Sequence, residues 1–307
     1  MKQYLVFDIG GTFIKYALMG EDGSFLDSGK TPTPTDRMDH LLEVLEGIGQ
    51  QFAGRYEGVA VSMPGRIDTA TGMAHTGGAL IYIKNTPMGQ MLEERLGKPV
   101  CVANDAKCAA NAEAWTGALA DTANGAVLVL GTGTGGAIVL NHAIWMGNTF
   151  AAGELSFLLT QYEGMSHAFS ENARAGLGAL WANHASALGL LHAYAARKGI
   201  PAEGLDGLQF FAAYDAGEPE AAAALDDFGE MTAAGIYSVQ AVLDLGRYAI
   251  GGGISARPEV TDIIRTKLDA IYDAIPFTAF GKPEIVRCRY GNDANLIGAL
   301  RFLLQQS

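Results

Sequence analysis

An acid at the end of an apolar run, followed at once by two glycines and a threonine, is a combination that can hold phosphate. Tyr4–Ile9 supplies the run, Asp8 the acid, and Gly10, Gly11 and Thr12 a turn before a second β-rich run. Short apolar runs bounded by glycine read as buried strands joined by a tight turn. Paired glycines let the backbone approach a ligand and aim its N–H groups at it. Asp8 suits a hydrated metal ion, and the Thr12 hydroxyl suits a phosphate oxygen. An ordinary β-hairpin with a surface aspartate would read the same way, and this stretch alone leaves both open.

A related element follows at Gly131, Thr132, Gly133, Thr134, Gly135 and Gly136. Its spacing satisfies G-x-G-x-x-G, but that dinucleotide fingerprint needs strand–turn–helix. Here the apolar strand Ala126–Leu130 precedes the turn, and the β-branched, apolar Ala137–Leu140 follows it. Strand–turn–strand with several available N–H groups suits phosphate oxygens; a structural turn and the fingerprint are the alternatives. Two further acids stand out. Asp105, after Asn104 at a helix start, is either an N-cap or a general base kept ionised by the helix N-terminus. Glu154, in Ala152-Gly153-Glu154, is either a surface carboxylate or a group that binds a ligand hydroxyl.

The elements that must position these residues alternate strand and helix. After the first hairpin, Asp36 is an N-cap candidate for a helix over roughly 37–53, marked by Leu41, Leu42, Leu45 and Ile48. Gly58–Ser62 reads as a buried strand closed by Met63-Pro64-Gly65. A run Ala79–Ile83 follows Gly77-Gly78, Met88–Leu96 reads as a helix, and Pro99–Ala103 as a strand. A small-residue helix runs from Ala106 to about Gly117. The pattern restarts about 120 residues after the first hairpin, as a duplication would leave it. Helices are expected over roughly 171–198, 207–214 and 219–243, then a strand Arg247–Ile250, a Gly251-Gly252-Gly253 turn and a Ser255 cap. The last helix, roughly 293–305, carries an apolar stripe. The fold class is therefore α/β. Residues 1–118 with 293–307 are expected to form one domain and 119–292 another, joined by a hinge at a cleft, since no Pro/Ser-rich linker separates them.

The 307 residues are 49% apolar and 18% charged, a composition of globular chains. A net charge of −12 argues against wide contact with nucleic acid or anionic membrane. There is no leader-like start and no apolar stretch of membrane-spanning length. Cys101, Cys108 and Cys288 lack C-x-x-C spacing and read as small buried thiols, which suits a reducing cytoplasm. The six histidines show no metal-ligand spacing.

Taken together, five motifs in order resemble the ROK family of sugar kinases, within the actin/hexokinase-like ATPase superfamily. They are Asp8-Ile9-Gly10-Gly11-Thr12, Met63-Pro64-Gly65, Asn104-Asp105-Ala106, Gly131–Gly136 and Gly153-Glu154-Leu155, with Ile250–Ser255 matching the family's adenosine motif. The resemblance spans the whole chain. It implies two RNase-H-like domains around a central cleft and ATP-dependent phosphorylation of the 6-hydroxyl of a glucose-type sugar. Asp105 would be the base; Asp8, through water, would hold Mg²⁺. Gly10–Thr12, Gly131–Gly135 and Gly251–Gly253 would bind ATP, and Gly65, Asn104, Glu154 and Glu171 the sugar; a homodimer is left open. One departure matters. Many members carry a His three residues after the Glu and then a Cys-rich zinc loop, whereas here Phe157 stands and Gln161–Asn172 has no cysteine. No zinc is therefore expected, and the chain resembles the zinc-less branch with bacterial β-glucoside kinases. Glucokinase or another hexose or N-acylhexosamine kinase is the alternative. A sugar-responsive regulator would need a DNA-binding module ahead of Tyr4, where only three residues stand, and the acidic balance adds no support for one.

Overall fold

The computed structural model describes residues 1–161, 178–275, 277 and 279–306. Contacts divide the chain into two units: Met1–Ala120 with His142–Ala152 and Asn292–Ser307, and Asp121–Asn141 with Gly153–Gly291. The excursion at 142–152 has no mark in the strand-and-turn pattern. Among the described residues no helix is long and apolar enough to cross a membrane.

The first unit is built on strands β1 (Gln3–Ile9), β2 (Phe13–Gly20), β3 (Phe25–Pro32) and β4 (Val59–Met63). After three short strands, β5 (Ile67–Asp68), β6 (Met73–Thr76) and β7 (Lys84–Thr86), β8 (Val100–Asn104) completes it. The main sheet runs β3-β2-β1-β4-β8; β5, β6 and β7 form a small sheet of their own. The first three strands pair antiparallel, whereas β1, β4 and β8 run parallel. The register sets Asp8 opposite Lys15 on one side and Ser62 on the other, and sets Met63 opposite Asn104. Parallel strands present their carboxyl ends along one edge, where open α/β sheets bind ligands. Here that edge gathers Asp8, Gly65 and Asn104-Asp105.

Two helices pack at backbone contact beneath this edge. Helix Asp105–Thr116 buries Cys108, Ala109, Ala110 and Ala112, and the last helix, Ala294–Gln306, lies across it. A Cβ on Gly298 would overlap the Cys108 carbonyl oxygen. Asn111 Nδ2 donates to the Gly298 carbonyl and to Gln305 Oε1, both at 3.3 Å. The missing side chain at Gly298 is thus the condition for the C-terminal helix to close on the Asp105–Thr116 helix.

The second unit repeats the plan with β9 (Gly125–Leu130), β10 (Thr134–Leu140), β12 (Arg247–Gly251) and β13 (Glu284–Arg287); β11, the short Ala143–Ile144, belongs to the 142–152 excursion grouped with the first unit. The four longer strands run β10-β9-β12-β13. Its core includes Leu128, Ile138, Trp181, Phe210, Phe228 and Tyr248. The helices Gly207–Asp215 and Pro219–Leu243 stand where periodicity sets them.

Several local expectations are corrected. Asp36 is no cap: Arg37 precedes the helix Met38–Gln51, and Asp36 Oδ1 lies 2.9 Å from His40 Nδ1 instead. The run Ala79–Ile83, given no element by the sequence, forms consecutive turns, Leu80 N–H to Gly77 O and Ile83 N–H to Leu80 O, with Leu80 and Ile83 buried three residues apart. Ser255 does not cap the helix Pro258–Ala274; its hydroxyl donates to Gly252 O at 2.8 Å. The helix expected over 171–198 has its described part at Ala187–Lys198, capped by Ser186, after a 3₁₀ turn at Trp181–Asn183.

The helix contact yields a prediction. Gly298→Ala forces the two backbones apart, and overpacking of this kind typically costs about 1–3 kcal/mol. The denaturant midpoint should fall accordingly; a wild-type midpoint would show that the helices do not touch there.

Candidate active site

Asp8 stands near the end of β1 and is 7% exposed. Ser62 Oγ donates to its Oδ1 at 2.9 Å and Asn295 Nδ2 donates to the same oxygen at 3.0 Å. Lys15 Nζ lies 3.9 Å from Oδ2 and donates to the Asn292 carbonyl at 3.0 Å. Burial pushes the Asp8 carboxyl above its ordinary range, against the opposing pull of Asn295, Ser62 and Lys15. A group whose folded pKa is raised loses stability as pH climbs from its unfolded to its folded value. Ionised Asp8 is thus a charge that this fold holds at a loss and that a further cation would relieve. The donor set fits a hydrated magnesium ion: a carboxylate with two donors on one oxygen and only a distant ammonium at the other.

The turn after β1 is pinned at its base. Gly10 N–H donates to Phe13 O at 3.0 Å, Thr33 Oγ1 to Gly10 O at 2.7 Å, and Thr33 N–H to Thr12 O at 3.0 Å. Gly11 and Thr12 are left exposed at the tip, as a phosphate-holding turn requires.

Asp105 is the first residue of its helix, so Asn104 rather than Asp105 is the N-cap. Asn104 Oδ1 accepts from Lys107 N–H at 3.1 Å, while its Nδ2 donates to Gly65 O at 2.9 Å and to Asp105 Oδ1 at 3.0 Å. Ala106 N–H also donates to Asp105 Oδ1, at 2.8 Å. These donors fix the carboxylate at a helix N-terminus, where its anionic form is favoured. Gly65 has φ +107, and a Cβ there would overlap the Thr76 carbonyl. Only glycine lets the 63–65 turn close on β6 and present its carbonyl to Asn104. Burial keeps the thiols beneath neutral, Cys101 pushed up to about 12 and Cys108 well above its ordinary value.

In the second unit, β10 starts at Thr134, three residues before the sequence places it, so Thr134 and Gly135 pair with Leu130 and Val129. Gly131 N–H donates to Gly133 O at 2.9 Å, and Thr132 and Gly133 form the exposed tip. The Thr134 hydroxyl is turned inward and donates to Ala185 O. Gly252, φ +93, backs directly onto the Leu130 carbonyl, where a Cβ would overlap it. The 131–133 and 251–253 turns therefore adjoin at the ends of β9 and β12. A Cβ on Gly153, φ +80, would stand 2.9 Å from Ala137 Cα, and one on Gly136 would stand 2.7 Å from Gly153 O. This glycine-on-glycine contact carries Glu154 to the flank of β10. Phe157, at the end of the following 3₁₀ turn, is 66% exposed. Glu171 lies outside the described residues.

Sequence reasoning missed Ser62, Lys15 and Asn295 around Asp8. The first two could be found by aligning β1 with its neighbours; Asn295, 287 positions away, leaves no local signal.

The model of the ROK family matches residues 4–306. The chain is similar to a β-glucoside kinase of Klebsiella pneumoniae, 33% identical over 96% of this chain and 93% of that one. A β-glucoside kinase of Listeria innocua is 31% identical over 98% and 97%. Among solved structures, a ROK family protein of Streptococcus pneumoniae in complex with sucrose superposes with a TM-score of 0.85 at 29% identity, over 99% of this chain and 98% of that one. With that coverage, and with the glycine turns and carboxylates described above, the chain belongs to the ROK family.

Proposed function

We propose that the protein is an ATP-dependent sugar kinase that phosphorylates the 6-hydroxyl of a glucose-type ring, with β-glucosides such as cellobiose as acceptors. The observation that carries the reading is the pair of carboxylates on one sheet edge. Asp8 is buried and suited to a cation, and Asp105 is oriented at a helix N-terminus. Support for the acceptor class comes from the relatives named β-glucoside kinases.

In this reading Asp105 accepts the proton of the acceptor hydroxyl, whose oxygen attacks the γ-phosphorus in line as its bond to the β,γ-bridging oxygen breaks and ADP leaves. Positioning and charge neutralisation carry most of such a reaction. Asn104 and the backbone at Gly65 orient the acceptor, Glu154 and Glu171 bind sugar hydroxyls, and the turns Gly10–Thr12 and Gly131–Gly135 offer phosphate oxygens the N–H groups of their exposed tips, Gly11-Thr12 and Thr132-Gly133. The Gly251–Gly253 turn takes the adenosine side. Asp8 would hold magnesium, which when bound would supply positive charge to the phosphates. No structural zinc belongs to this reading, because Gln161–Asn172 has no cysteine.

The acceptor reading turns on Phe157. Phenylalanine cannot give the hydrogen bond that a His would give near C1 and C2, so a free anomeric hydroxyl is not demanded. A Phe157 that merely fills space would leave an ordinary glucokinase.

Three measurements test these assignments. Asp105→Asn keeps shape but not basicity, and general-base catalysis is worth about 10²–10⁴-fold; kcat should fall at least about 100-fold while sugar affinity changes far less. A variant retaining a tenth of wild-type kcat, with chemistry rate-limiting, would reduce Asp105 to a structural acid. Asp8→Asn removes a buried charge. At pH 7 the ligand-free variant should be as stable as wild type or more so, while kcat/KM drops by about 100-fold or more; lost stability with retained activity contradicts the cation role. Finally, kcat/KM for methyl β-glucoside and cellobiose should match or exceed that for glucose. A cellobiose value more than about tenfold lower sinks the β-glucoside assignment and leaves the kinase assignment standing.

A further inference from the structure

We infer that the stacked side chains of His75 and Phe150 form the subsite for the second ring of a β-linked disaccharide acceptor. This rests on the sugar-kinase reading above and adds where the group on C1 is received.

Phe150 has φ +62, a left-handed conformation rarely adopted by a bulky residue. It sits in the short loop that Ala152 N–H closes onto Met146 O at 3.2 Å, entered through Gly147 at φ +69. Glycine or asparagine would take that backbone without strain, yet an aromatic is kept there, half-buried. Strain of this kind persists where the surroundings hold it and the side chain is used. Its ring lies nearly parallel to the His75 imidazole, 19° between planes and 6.4 Å between centroids. The imidazole is itself fixed, with Nδ1 3.3 Å from Asn85 Oδ1, and Asn85 is a second non-glycine residue at positive φ, +47. One strained residue, Phe150, and the Asn85 contact thus aim and brace one partly exposed stack.

The stack is joined to the acceptor elements of the same unit through β6. His75 precedes Thr76 on β6, and the Thr76 carbonyl is the atom against which Gly65 closes. Gly65 O accepts from Asn104, and Asn104 Nδ2 donates to the Asp105 carboxylate. A sugar whose 6-hydroxyl meets Asp105 extends its C1 substituent one pyranose ring away. An apolar ring face with a polar edge beside it is the surface that a second sugar presents to be recognised, apolar C–H face to aromatic and hydroxyls to imidazole. The S. pneumoniae relative was solved with a disaccharide, sucrose.

Phe150→Gly removes the ring at a backbone position that glycine prefers, so folding is spared. We expect the ratio of kcat/KM for cellobiose to that for glucose to fall about tenfold, mostly through KM, the range of one lost apolar contact. The same ratio for methyl β-glucoside should stay near wild type, because its methyl group does not reach the stack. Phe150→Tyr should restore the cellobiose ratio, and His75→Ala should lower it. Proportional losses on all three sugars, or an unchanged cellobiose ratio, overturn the subsite. A wild-type enzyme active on glucose but not on cellobiose overturns it too, while the kinase reading survives. ADP release with none of the three sugars removes the glucose-type acceptor reading and this assignment with it.

Discussion

A carboxylate kept out of water is the constraint on which the first unit turns. Asp8 is held at the end of β1 by Ser62 from β4, Asn295 from the last helix and the ammonium of Lys15 from β2. Burying an ionised group is unfavourable unless it is paired and hydrogen-bonded. The sheet register and the return of the C-terminal helix together supply those partners. Neither the parallel pairing of β1 with β4 nor the close contact at Gly298 can change without undoing one of them. What remains uncompensated is the feature a metal-phosphate ligand would use.

Glycines mark where backbone meets backbone. Gly298 lets two helices touch, Gly65 lets a turn close on β6, Gly153 seats the Glu154 segment on β10, and Gly252 joins the turns of the second unit. A side chain at any of these would separate the elements and leave the polar group it positions elsewhere. The carboxylates proposed to act on the sugar, Asp105 and Glu154, each follow such a contact in sequence or in hydrogen bonding. Their placement is thus a consequence of close packing rather than of loop conformation.

On the reading proposed above, with Asp105 as base and the His75–Phe150 stack as outer subsite, specificity is separated from catalysis. Asp105 and Asn104 lie on the sheet edge and the helix start, which are rigid. The braced stack of His75 and Phe150 lies on a small sheet and a short loop, where substitution is tolerated better than at the edge. Variation there would retune the acceptor without touching the base.

Much of this was legible in the sequence because it is local. The glycine turns after β1 and β9, the Asn104-Asp105 helix start, the long helix Pro219–Leu243 and the apolar stripe of the last helix all follow from neighbouring residues obeying backbone sterics and periodicity. The motif order was enough to state the family. Local signals misled where two hydrogen-bonding choices compete: Asp36 pairs with His40, and Ser255 with Gly252, instead of capping helices. The run Ala79–Ile83 has the composition of a strand, yet its buried residues sit at turn spacing. Tertiary structure alone decided the partners of Asp8, the grouping of 142–152 with the first unit, and the meeting of His75 with Phe150, 75 positions apart. Such contacts depend on sheet register and helix docking, which sum many weak interactions over the whole chain, and no window of sequence contains that sum.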